Sequence, residues 1–184
     1  DPERSVLLIK LEEETEEENI DEQKNVELEK DAQDSVINKE KKADKVSKSQ
    51  GQNNIGIINI PSLGINYPIL KETTEKTLKV SVTKFWGGNP NQVGNLCIIG
   101  HNYKNSKFFG KLPNIKNGDI VQITDTNGNT LNYNVYDKYI VNPEDTSCTS
   151  QLTNGKIEVT LITCYYENGN AHATKRLIIK ARAN

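Results

Sequence analysis

The chain has 184 residues, 34% hydrophobic and 6% aromatic, with 25 acidic and 23 basic side chains, a formal charge of −2 and no methionine. That length suits one domain with an appendage, and the dispersed basic residues give nucleic-acid binding nothing to rest on. The charge is uneven along the chain: residues 1–50 hold 16 Asp/Glu and 9 Lys/Arg (net −7), whereas residues 51–184 hold 9 and 14 (net +5).

Residues 1–50 contain no aromatic side chain and no glycine, and are dominated by Glu, Asp, Lys, Asn and Gln. So little apolar surface does not offset the entropy of ordering. The segment reads as a charged juxtamembrane stalk or linker, largely disordered or transiently helical, and residues 51–184 read as the folded domain. Val6-Leu7-Leu8-Ile9 is far short of the ~20 residues that span a bilayer. It reads as a small staple for a nascent helix or, more pointedly, as the sequel to a signal or anchor that preceded residue 1.

From Asn54 the apolar pattern shortens to strand period. Strands are expected at Ile55–Ile60, Ile65–Leu70, near Lys79–Thr83, and at Leu96–His101, Asp119–Thr124, Leu131–Val141, Ile157–Cys164 and Lys175–Ala181. Pro61, Gly87-Gly88, Asn114–Gly118 and Asn127-Gly128-Asn129 separate them, the last being a hairpin signal. Short helices fit Thr73–Leu78 and Ser106–Leu112. Many short strands with tight turns point to an all-β sandwich or closed barrel.

Thr160-Leu161-Ile162-Thr163-Cys164 is an apolar, β-branched run that ends in a thiol. Arg176 opens the next strand after a turn-rich connection, so hairpin pairing would return its guanidinium to the sulfur. His101 ends the run Ile98-Ile99-Gly100-His101. A cysteine, a histidine and an arginine, each at a strand end, are the parts of a thiol acyl-transfer site. His172 is the rival base, but no strand fixes its ring. Of the other cysteines, Cys97 reads as a small buried hydrophobe. Cys148 reads as an incidental exposed thiol in a polar loop, with a regulatory disulfide as the alternative. No cysteine or histidine spacing suits zinc, and no cofactor or metal is expected.

Two alternative enzyme types fail on spacing. A low-molecular-weight phosphatase loop needs arginine where Asn170 stands, and an L,D-transpeptidase needs a glycine where Thr163 stands. Papain-like enzymes place cysteine before histidine, the reverse of the order here.

The three segments together resemble the sortases, cysteine transpeptidases of the Gram-positive cell surface. Thr160–Cys164 matches the family's TLxTC strand, Arg176–Ala181 its arginine strand, and Gly94-Asn95 leading to Gly100-His101 its histidine strand. Ile58–Ile65 and Tyr67-Pro68-Ile69 look like its first two strands. The resemblance implies an eight-stranded closed β-barrel with short helices. It implies Cys164 as nucleophile, His101 as proton shuttle, Arg176 as oxyanion and substrate ligand, and Thr163 lining the peptide groove. The implied substrate is an LPxTG-like sorting signal of a secreted surface protein, cleaved between Thr and Gly. The implied acceptor is an amine of a peptidoglycan precursor of the lipid II type, or a pilin lysine in the polymerising class. The implied setting is the extracellular face of a Gram-positive plasma membrane, held by an N-terminal anchor.

A class A or class D-like enzyme is the expected sub-class. The fifteen residues between Val141 and Ile157 are too few for the helical insertion of class B. Asp1-Pro2 is followed by Glu3 and stands far from the first strand, unlike the lid motif of the pilus-polymerising class. A wall-associated binding module on the same barrel is the non-catalytic alternative; it would be expected to lose Cys, His or Arg, and all three are present.

Overall fold

The computed structural model describes residues 53–170 and 172–184. The stalk expected at residues 1–50 lies outside the described residues.

Eight strands form a closed barrel. They are β1 (Asn54–Ile60), β2 (Ile65–Leu70), β3 (Val82–Trp86), β4 (Gly94–Ile99), β5 (Ile120–Asp125), β6 (Thr130–Val141), β7 (Ile157–Tyr165) and β8 (Lys175–Ala183). Their order around the barrel is β1-β2-β3-β4-β7-β8-β6-β5, with β5 returning to β1. β2–β3 and β4–β7 are parallel, and the other neighbours are antiparallel. The expected eight-stranded barrel is the observed one.

Side-chain alternation sorts the barrel into two apolar bodies. Leu96, Ile98, Val159, Leu161, Leu177 and Ile179 point inward and join Ile58, Ile60, Val121, Ile123 and Tyr133 in the interior. Their strand neighbours Cys97, Ile99, Ile162, Cys164 and Ile178 form a second cluster on the opposite face, with Leu78, Phe85, Cys148 and Ala173. β4, β7 and β8 are thus buried on both faces. This is why they read as continuous apolar runs, not as alternating ones.

Three local expectations change. The β3 strand runs from Val82 to Trp86, later than the expected Lys79–Thr83, because α1 (Glu75–Leu78) and its C-cap Lys79 take up the preceding residues. Thr74 caps α1 by accepting from the Thr77 amide, with the Thr77 hydroxyl accepting from the Thr74 amide in return.

The helix expected at Ser106–Leu112 is absent. Ser106 and Phe108 have φ of 68° and 49°, left-handed values that no α-helix contains, and only a 3-10 turn at Leu112–Asn114 follows.

Cys148 is buried, at 3% exposure, not exposed. The β6–β7 connection folds back against the sheet, where Asn95 Nδ2 donates to Cys148 O and Ser150 O, both at 3.0 Å. Lys180 Nζ donates to Cys148 O (3.2 Å) and to Thr160 Oγ1 (2.7 Å). Apart from a 3-10 turn at Ser147–Thr149 that connection holds no helix.

Candidate active site

Cys164 is the penultimate residue of β7 and Arg176 the second residue of β8; the two are direct partners in the antiparallel ladder. Directly opposed residues project to the same face with Cβ atoms about 4.5–5.5 Å apart. The turn-rich residues between them close this hairpin, including Asn168 in the left-handed conformation (φ 52°).

His101 lies two residues beyond the end of β4, which runs parallel to β7 with Ile99 beside Ile162. Three hydrogen bonds extend that pairing past the strand end. Gly100 N donates to Ile162 O (3.2 Å), Thr163 Oγ1 to Gly100 O (2.7 Å), and Asn102 Nδ2 to Cys164 O (2.9 Å). The residues before and after His101 are therefore both fastened to the segment that carries the thiol. Gly100 is needed here: a Cβ would stand 2.8 Å from Val82 Cγ1 and 2.9 Å from Phe109 Cδ2.

Behind His101 the loop is packed by aromatic rings. Tyr103 stacks on the imidazole (centroids 4.9 Å apart, planes 19° apart), Phe108 meets Tyr103, and Tyr67 meets Phe108. The Phe109 amide donates to His101 O at 3.0 Å. A ring held between a stacked tyrosine and a pinned backbone has a fixed direction, which proton transfer requires.

His101, Cys164 and Arg176 are each 0% exposed. Burial, helped by the positive charge of Lys79 at the end of α1, lowers the His101 pKa to about 4. The imidazole is then neutral at pH 7 and able to accept a proton. The Arg176 guanidinium donates to Lys175 O at 2.8 Å and keeps its planar fork at the thiol end of the hairpin.

Thr163 sits on the other face of β7 from Cys164, paired with the inward-facing Leu177, and its hydroxyl is committed to Gly100 O. The geometry thus gives it the task of holding the histidine segment. His172 is exposed on the β7–β8 connection. Cys97 is fully buried, with its sulfur 3.7 Å from Asn95 O, and no disulfide joins the three cysteines. Burial also raises the Cys148 thiol to about 11, so it stays protonated. Among the described residues no group of three His, Cys, Asp or Glu side chains is placed to hold a metal ion.

Sequence reasoning missed Asn102, Tyr103 and Lys79. The first two directly follow His101, so adjacency was the available signal; the approach of Lys79 to His101 depends on the fold.

Residues 58–184 match the family model described as the sortase domain. The chain belongs to the sortase family. It is 32% identical over 126 residues to Sortase A of Bacillus anthracis, covering 68% of this chain and 57% of that protein. It is 27% identical to Sortase A of Listeria monocytogenes over 67% of this chain and 54% of that protein. The chain thus spans little more than half the length of these curated relatives. Among solved structures, sortase C-1 from Actinomyces oris superposes with a TM-score of 0.63 at 28% identity, covering 73% of this chain and 76% of that one. Sortase A from Corynebacterium diphtheriae superposes at 0.62 with 30% identity, covering 71% and 60%. Both the A and the C types of this sortase barrel therefore share its fold.

Proposed function

We propose that this sortase is a cysteine transpeptidase that cleaves an LPxTG-like sorting signal and passes the acyl group to an amine of a cell-wall precursor. One observation carries the reading: Cys164 and Arg176 are cross-strand partners, and the His101 segment is hydrogen-bonded to the same end of β7.

Neutral His101 takes the thiol proton of Cys164, and the thiolate attacks the carbonyl carbon of the scissile Thr–Gly bond. The carbonyl oxygen becomes an oxyanion, and the guanidinium N–H groups of Arg176 stabilise it. Collapse breaks the C–N bond, and His101 returns its proton to the departing glycine amine. A thioester on Cys164 remains. The acceptor amine attacks it, His101 takes the proton that the amine loses, and the C–S bond breaks. The imidazolium then reprotonates the thiolate.

The three groups are fully buried.

Sortase relatives act at the Gram-positive cell surface, and we place this enzyme at the extracellular face of the plasma membrane through an N-terminal anchor. Among the described residues no helix is long and apolar enough to cross a membrane.

The test is incubation with an LPxTG-type peptide and triglycine, with mass spectrometry of protein and products. The expected result is an acyl adduct on Cys164 and a peptide joined to triglycine. Cleavage that persists in Cys164→Ala would overturn the reading.

A further inference from the structure

β3 pairs with β2 over two residues only, Val82 with Ile69 and Thr83 with Leu70. Beyond them the chain leaves β2 through Lys71–Thr74 to enter α1, while β3 continues along β4 to Trp86. The divergence opens a cleft of about 710 Å³, lined by Lys71 on one side, by Lys84, Phe85 and Trp86 on the other, and by Gln151 from the β6–β7 connection.

The walls are fixed. Thr73 Oγ1 lies 2.7 Å from Thr83 Oγ1 and donates to Lys84 O at 2.9 Å, tying the two segments together. Gln151 Nε2 donates to Asn95 O (2.8 Å), and its Oε1 accepts from Asn95 N (3.0 Å).

The cleft is lined by two lysines and one carboxylate, that of Glu72. Lys84 titrates below the ordinary lysine range, first because it is partly buried and then because the charge of Lys71 bears on it. Neither lysine has an ion pair among the described residues. Glu72 and Lys71 are both exposed, and of the two only Lys71 is among the charges acting on Lys84. Two like charges converging on one hollow favour an anion between them. Trp86, 38% exposed, adds a flat apolar wall. Phe85, which lines the cleft, belongs to the outer-face cluster that contains Cys164.

We propose that this cleft binds a carboxylate or phosphate carried by the amine-bearing acyl acceptor, with Lys71 and Lys84 as counter-ions and Trp86 as the surface on which the acceptor packs. The inference rests on the transfer reaction proposed above. An attacking amine must be uncharged, and a positive field disfavours its protonated form while retaining the anionic remainder of the molecule. The cleft therefore holds the acceptor by one end and keeps its other end reactive.

Trp86 is the chain's one tryptophan, so selectively excited tryptophan emission reports on the cleft. The full chain is titrated with inorganic pyrophosphate, the phosphate arm, and with N-acetylmuramyl dipeptide, the carboxylate arm. A saturable change with either probe is expected, and the arm that responds identifies the group. Binding should weaken at least tenfold in Lys71→Met/Lys84→Met and stay unchanged in Lys116→Met, an exposed lysine outside the cleft. It should also weaken several-fold in wild type as salt rises, a measurement that needs no variant.

In the transfer assay, the double variant should raise KM for an anionic acceptor at least tenfold more than KM for neutral glycinamide. No saturable response to either probe, or binding insensitive to salt, overturns the anion site. Equal changes in KM for anionic and neutral acceptors overturn its acceptor role. A positive titration without transfer to any amine would sink the transpeptidase reading and with it the acceptor role, while the anion site would stand.

Discussion

Cys164 and Arg176 face each other across the β7–β8 ladder, the sulfur and the guanidinium rising from directly opposed backbone positions. No loop contributes to that spacing; the hydrogen bonds of two central barrel strands set it. In the proposed reaction, a cation placed this way is at hand when the carbonyl oxygen acquires charge, without reorganisation at that moment.

The first prediction follows from that pairing. Arg176→Lys keeps the charge but loses the planar fork of donors, so the cleavage rate should fall by about 10²–10³, the usual loss for an oxyanion donor. Steady-state kinetics with a sorting peptide measures it. A variant within threefold of wild type would show that charge alone suffices.

Cys164→Ala should abolish thioester formation; the protein should still fold, at a cost of about 1–2 kcal/mol of stability for the buried sulfur removed. Cys97→Ala removes an equally buried sulfur from the same outer-face cluster and should cost about the same stability, with activity per folded molecule retained. Thermal melts and peptide cleavage on both variants check this. Full activity in Cys164→Ala would place the chemistry elsewhere.

Much of this site was legible in the sequence because strand ends mark it. The run Thr160–Cys164 and the strand opened by Arg176 are continuous apolar segments, and hairpin pairing of neighbouring strands is the simplest topology available to them. The approach of His101 was less accessible, since it depends on a parallel β4–β7 pairing across some sixty residues. Cys148 was misread for a related reason. Its neighbours Thr146, Ser147, Thr149 and Ser150 look like an exposed loop, but Asn95 and Lys180 supply the polar partners that let the segment lie buried on the sheet. The helix expected at Ser106–Leu112 failed because backbone bonds and ring packing hold Ser106 and Phe108 left-handed, overriding local propensity.

Gly100→Ala should impair catalysis more than it impairs folding. The added methyl would meet Val82 and Phe109 side chains under 3.0 Å away, and relief requires the backbone beside His101 to shift. A misplacement of about 1 Å can cost on the order of 10² in rate. The expected signature is a fall in kcat with little change in KM for the sorting peptide. An unchanged kcat would mean that the loop absorbs the methyl without moving the imidazole.

The buried imidazole makes a separate prediction about stability and pH. The His101 pKa is about 4 in the folded protein against roughly 6.5 in an unfolded chain. Between those values the unfolded state binds more protons, so stability rises with pH across the window. The contribution is fully present above about pH 6.5 and is lost as pH falls through about 4. Its size is on the order of 3 kcal/mol if the whole difference is expressed. His101→Gln, which keeps a polar group of similar size but does not titrate, should flatten the dependence of chemical-denaturation stability on pH between 4 and 6.5. If His101→Gln kept the wild-type slope, the buried neutral base would not be His101, and the proton shuttle would have to be reassigned.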